Sequence, residues 1–184
     1  MDIAKIEHLV EELLLAIGEN PNREGLRDTP ARVARMLSEM LTGIAYSNAD
    51  IAGMCDKKFP ATTNDPVVVR DIECFSLCEH HLALIYNMKI TIAYIPRGYV
   101  LGLSKFSRIA DMVCRRLQLQ ERIGEDIAEI LGMILGVEDI AVVIKAEHAC
   151  VASRGIAKHH VVTETSTLRG RFKMDSRYLY KIFN

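Results

Sequence analysis

The chain has 184 residues, 49% of them hydrophobic and 26% charged, with 23 basic against 24 acidic side chains and a formal net charge of −1. These proportions describe a soluble globule with apolar side chains enough for one core, or one core and a small helical appendage. The charge balance excludes a polybasic surface, so no nucleic-acid partner is expected.

In chain order, "MDIAKIEHLVEELLLAIGEN" places Ile3, Ile6, Val10, Leu13, Leu14 and Ile17 at helical spacing, which predicts an amphipathic helix over residues 2–18. It has neither the unbroken apolar run of a signal peptide nor the length of a membrane span, so no membrane partner is expected. Five cysteines, an odd number, do not form a disulfide framework and point to a reducing cytoplasm. In "RDTPARVARMLSEML", Thr29 is placed to cap and Pro30 to open a second helix ending near Leu41. Residues 42–66 have no stable period and read as irregular, so 1–66 is predicted to be a helical segment and 67–184 the main domain.

From Val67 the signals turn to strands. "VVVRDIECF" is β-branched, and "YNMKITIAYI" and "YVLGL" flank the turn "PRG", which predicts a hairpin. Helical patterns follow over 104–118 and 120–135, then a strand pair, "DIAVVIKAEHAC" and "VVTETSTLRGRF", and a closing helix "SRYLYKIF". The order predicts an α+β protein with antiparallel strands.

"SLCEHH" sets Cys78 and His81 three positions apart, and thiolate and imidazole are ligands zinc prefers. C-x-x-H alone is weak. In "AEHAC", however, His148 and Cys150 would extend the strand face of Ile140, Val142, Ile144 and Ala146. Cys78, His81 and Cys150 supply three ligands, the number of an open catalytic site, while Cys74 or His80 would close it into a structural staple. Adjacent residues rarely ligate one ion, which frees His80, like His148, for proton transfer.

"GLSKFSRIADM" opens a helix with Ser104 at its cap and Lys105 and Arg108 in its first turn. Cations there oppose the helix dipole, and a bound anion would account for them. Arg154 in "ACVASRG" is a candidate third cation. Gln120 and Glu121 in "LQLQER" read, by spacing alone, as helix surface.

Together, "EGLRDTPARVARM", "SLCEHHL", "AYIPRGYVLGLSK", "RRLQLQER" and "EHACVASRG" resemble the GTP cyclohydrolase I family across most of residues 21–172. The resemblance implies a tunnelling fold, with sheets of several subunits joined into a barrel, and a homodecamer with active sites between subunits. It implies one zinc per subunit on Cys78, His81 and Cys150, and catalytic roles for His148, His80 and Ser104. Triphosphate contacts fall on Ser104, Lys105, Arg108 and Arg154, and guanine contacts on Gln120 and Glu121. The implied reaction is hydrolysis of GTP at guanine C8, releasing formate and giving 7,8-dihydroneopterin triphosphate, the first step of pterin synthesis. Where the family commonly has a leucine–proline–phenylalanine run and a glycine, this chain reads "LALIYNM", with Ala83 and Asn87. His159 and His160 have no counterpart in that pattern and read as surface.

Two other readings compete. One is the related nitrile reductase of queuosine synthesis, which would need a nucleophilic cysteine such as Cys55. The other is a non-catalytic binding module stapled by zinc.

Overall fold

Two stretches of chain pack into separate compact units, Met1–Thr42 and Gly43–Asn184. The structure is a computed structural model; it describes residues 1–183, without the side chains of Tyr180, Lys181 and Phe183. The first unit pairs helices α1 (Ile3–Ala16) and α2 (Thr29–Met40). Asp2 caps α1, its carboxylate accepting from the Lys5 amide at 3.0 Å, which satisfies one orphan donor of the first turn. At α2 the cap falls one residue before the predicted Thr29. Asp28 is the N-cap, but its carboxylate pairs with Arg32 at 3.2 Å and leaves the backbone amides alone.

The second unit runs α3 (Asn48–Cys55), β1 (Lys58–Pro60), β2 (Val67–Cys78), β3 (Leu84–Tyr94), β4 (Tyr99–Leu101), α4 (Leu103–Cys114), β5 (Leu117–Gln118), α5 (Gln120–Leu135), β6 (Ile140–His148), α6 (Ala149–Ala152), β7 (Val162–Leu168), α7 (Arg171–Met174) and α8 (Ser176–Phe183). It starts at Gly43, ahead of the expected boundary at Val67, because the stretch read as irregular folds. Ser47 and Asp50 form a capping box, with the Asp50 amide on Ser47 Oγ at 3.2 Å and the Ser47 amide on the Asp50 carboxylate at 2.8 Å. That box opens α3, which buries Ile51 and Cys55 completely in the core shared with the sheet. Gly43 is held against the end of α4, its amide donating to the Arg115 carbonyl at 2.9 Å. A Cβ there would collide with the carbonyl oxygens of Met112 and Arg115, so only glycine permits the approach.

The main sheet has the order β5-β2-β3-β6-β7, antiparallel except for the β2–β5 pair. β6 reads "IAVVIKAEH" because both of its faces are covered. Ile140, Val142 and Ile144 join the core of Phe106, Ile109, Ile123, Ile127 and Leu131 from α4 and α5, while Ala141 and Val143 pack with Phe172 and Ile182 of α7 and α8. Each large side chain so buried contributes about 1.5–3 kcal/mol.

The chain departs from the expected pattern in two places. The hairpin across "PRG" does not form, because β2 and β6 occupy both edges of β3. β4 instead pairs with β1 in a separate two-stranded ribbon, after a turn in which Gly98 takes φ 84°. The helix predicted to reach residue 118 stops at Cys114, where the Ser76 hydroxyl donates to the Cys114 carbonyl at 2.7 Å. Leu117 and Gln118 then pair with Leu77 and Cys78, which ties the end of α4 to the end of β2. Among the described residues no helix is long and apolar enough to cross a membrane.

Candidate metal centre

β2 delivers Cys78 as its last residue, and the chain reverses at once. The amides of His81 and Leu82 donate to the Cys78 carbonyl at 3.4 and 2.9 Å, the Cys78 amide donates to Ala83 at 2.8 Å, and Leu82 takes φ 51°. This tight return sets the His81 imidazole beside the Cys78 thiol. Cys150 comes from α6, not from the strand. β6 ends at His148, and the Ser153 amide and hydroxyl close the helical turn on the Ala149 carbonyl at 2.8 and 2.7 Å. The parity that put His148 and Cys150 on one strand face therefore fails, yet Cys150 still reaches the site. The ligand atoms of Cys78, His81 and Cys150 all lie within 4.8 Å of one another.

Two thiols and an imidazole are the donor set of a zinc-like ion. Burial, and then the nearby Cys78 thiol, push the Cys150 thiol upward. A bound cation reverses that cost and holds both as thiolates. The group could hold a metal on its donor chemistry alone.

The two residues that might have closed the site lie elsewhere. Cys74 stands opposite Met88 and packs against the core, and His80 is exposed, its ring edge-on to His81 with centroids 6.2 Å apart. Cys74→Ala should therefore keep its full metal content by elemental analysis; loss of the metal would instead support the stapled module.

The loop is fastened by contacts that sequence reading missed. Arg122 of α5 grips Glu79 with two bonds of 2.6 and 3.0 Å, and the Glu79 amide donates to the Gln118 carbonyl at 3.1 Å. The guanidinium beside it holds the Glu79 carboxyl below its ordinary range. Arg154 Nη1 lies 3.1 Å from His81 Nε2; a guanidinium only donates, so this ring nitrogen accepts.

His148 Nε2 is 2.8 Å from Gln120 Oε1. The carboxamide nitrogen of Gln120 donates to the Ile144 and Thr163 carbonyls and to Thr165 Oγ1, at 3.0, 3.1 and 3.2 Å. Its oxygen is therefore the acceptor, and His148 Nε2 carries the hydrogen, leaving Nδ1 as the other ring position. Burial lowers the His148 pKa, partly offset by the charge of Glu121. Gln120, expected to read a base, is 2% exposed and has its hydrogen bonds met inside the chain. Glu121 is exposed in the first turn of α5.

Ser104 is not the cap of α4. Gly102 is, with no side-chain cap, and Ser104, Lys105 and Arg108 follow inside the first turns. Neither cation makes an ion pair among the described residues. Both lie near Cys55, whose thiol burial pushes up despite their charges. A fully buried, protonated thiol is no nucleophile, which removes the basis for the nitrile reductase reading. Ser104 stands ten residues, about 15 Å of helix, from the Cys114 end that touches β2. Of the anion residues, Arg154 thus reaches the metal group of the same chain, at His81, while no contact among the described residues brings Ser104, Lys105 or Arg108 there.

Asn87 takes φ 49°, a conformation asparagine tolerates better than most residues, and its amide donates to Glu147 at 2.8 Å. His159 and His160 are both exposed, with His160 Nδ1 4.0 Å from the Glu147 carboxylate.

Comparison with known proteins bears on this site. A model of the GTP cyclohydrolase I family matches residues 6–184. GTP cyclohydrolase 1 of Clostridium botulinum (strain Loch Maree / Type A3) is 55% identical over 181 residues, 95% of this chain and 92% of its own. That of Clostridium acetobutylicum is 52% identical over 187 residues, 99% of this chain and 96% of its own. Among solved structures, the archaeosine synthase QueF-Like in the apo form aligns with a TM-score of 0.45 and 19% identity, over 58% of this chain and 94% of that one.

Proposed function

The chain belongs to the GTP cyclohydrolase I family and is an enzyme of that kind, and from that premise we propose how its residues divide the work. It hydrolyses GTP at guanine C8, releases formate and yields 7,8-dihydroneopterin triphosphate. Cys78, His81 and Cys150 hold one zinc ion per subunit. The observation that carries this is the three-donor cluster, with the His80 ring edge-on to His81 and no fourth protein ligand among the described residues. When bound, the ion lowers the pKa of water toward neutrality and so supplies a nucleophile at physiological pH.

The remaining steps belong to side chains. His148, held through Nε2 by Gln120, takes at Nδ1 the proton given up by the attacking water and passes it to the ring nitrogen next to C8 as the water adds to C8. A second water then releases C8 as formate. His80, exposed beside His81, moves protons to and from solvent. The Glu121 carboxylate accepts from the guanine N–H groups, and Gln120 acts through His148. Ser104, Lys105, Arg108 and Arg154 bind the triphosphate, and Ser104 assists the sugar rearrangement. Holding the purine over the metal group gives the reaction its proximity.

The site is assembled between copies of the chain in a homodecamer built on the tunnelling fold. The distance along α4 supports this, since its first turns stand about 15 Å along the helix from the end that touches β2, the strand that ends in Cys78. Five free cysteines fit a reducing cytoplasm. The test is incubation of the purified protein with GTP: one formate per GTP is expected, with pterin fluorescence after oxidation. Guanine recovered intact would refute the assignment.

A further inference from the structure

Three sulfur-bearing residues gather at a second place, apart from the metal group. Cys74 on β2 stands opposite Met88 on β3 in the strand register. The Cys114 Sγ, at the end of α4, lies 3.7 Å from Met88 Sδ; Cys74 packs against the core cluster that holds both, and Ser76, two residues on along β2, donates to the Cys114 carbonyl at 2.7 Å. Cys114 and Met88 are each 1% exposed. Cys74 is half-buried and lines a cavity of about 350 Å³ with Glu73, Asn87, Met88 and Lys89. Cys74 thus borders the cavity, and Cys114 lies deeper in the core.

We propose that Cys74 and Cys114 form a peroxide-reactive dithiol that closes reversibly into a disulfide. Cys74 attacks a peroxide oxygen; the O–O bond breaks, water or an alcohol leaves, and Cys74 becomes a sulfenic acid. The Cys114 sulfur then attacks Cys74, an S–S bond forms, and the sulfenic oxygen departs as water. The two sulfurs give up two electrons in all, and the peroxide takes them. A small dithiol reductant reverses the change. The order follows from the surroundings. The neighbouring Cys114 thiol lowers the Cys74 thiol, against opposing effects of burial and Asp111 and with help from Arg115, whereas the nearby Cys74 thiol and burial push Cys114 well up. A half-buried thiol shifted toward ionisation beside a buried resolving thiol is the arrangement of a redox-sensing pair. The bond would tether α4 to β2 four residues before Cys78 without using a metal ligand.

The test uses the metal-loaded full chain, treated with a few equivalents of hydrogen peroxide, alkylated in denaturant with N-ethylmaleimide and digested. Expected is a Cys74–Cys114 linked peptide about 2 Da lighter than the two reduced peptides together, with loss of both adducts and their recovery after dithiothreitol. Cys114→Ala should stop the reaction at a sulfenic acid on Cys74 that dimedone traps. Complete alkylation of both thiols while other cysteines oxidise would overturn the proposal. So would Cys74 reaching sulfinic acid with Cys114 still free. If Cys114→Ala does not fold, the linked peptide in the unmodified chain decides alone.

Discussion

Cys150→Ser is expected to lose bound zinc and abolish formate release while leaving the fold intact. Cys150 sits on α6, a single helical turn, and is only half-buried, so the core does not depend on it. Its thiol is one of three donors within 4.8 Å. A serine hydroxyl stays protonated at neutral pH and is a poor substitute for thiolate. Disturbing an outer partner of a metal ligand already costs about 10–100-fold in affinity, and loss of the ligand itself should cost more. Elemental analysis, circular dichroism and a formate assay on one preparation check this. A variant that keeps its metal and its turnover would remove Cys150 from the ligand set.

The second large effect is expected at His148. His148→Ala should retain zinc and GTP binding but slow ring opening by about 10²–10⁴-fold, the range that positioned acid–base groups supply. The side chain is half-buried and tied to Gln120 at 2.8 Å, so the substitution leaves Gln120 Oε1 without its partner. That orphaned acceptor should cost stability by about 1–3 kcal/mol. Single-turnover rates, equilibrium GTP binding and a denaturant titration separate the chemical effect from the structural one. An unchanged chemical step would assign proton transfer to another group.

How much of this was legible beforehand varied with the range of the contacts involved. Cys78 and His81 were readable because a three-residue return is local, and the turn at the end of β2 produces it. Cys150 was identified by residue type, but on the wrong geometry, since the strand stops at His148 and Cys150 belongs to α6. The α3 start was present in the sequence as Ser47 with Asp50 three positions on, a capping signal that the surrounding glycine and asparagine obscured. The "PRG" turn was a sound local signal that lost to long-range pairing, because β2 and β6 fill both edges of β3. Gln120 could not have been read at all. Its partners Ile144, His148, Thr163 and Thr165 lie 24 to 45 positions away. The same holds for Arg122 on Glu79, 43 positions apart.

The account depends on one open metal centre per chain, and a metal titration tests that most directly. Protein stripped by chelator would receive zinc in steps, with bound metal and the rate of formate release from GTP measured at each. Formate release rising in proportion to bound zinc, from none in the stripped chain to a plateau at one ion per chain, is the expected result. Formate released by the stripped chain, or a zinc-saturated chain that leaves GTP intact, would contradict it.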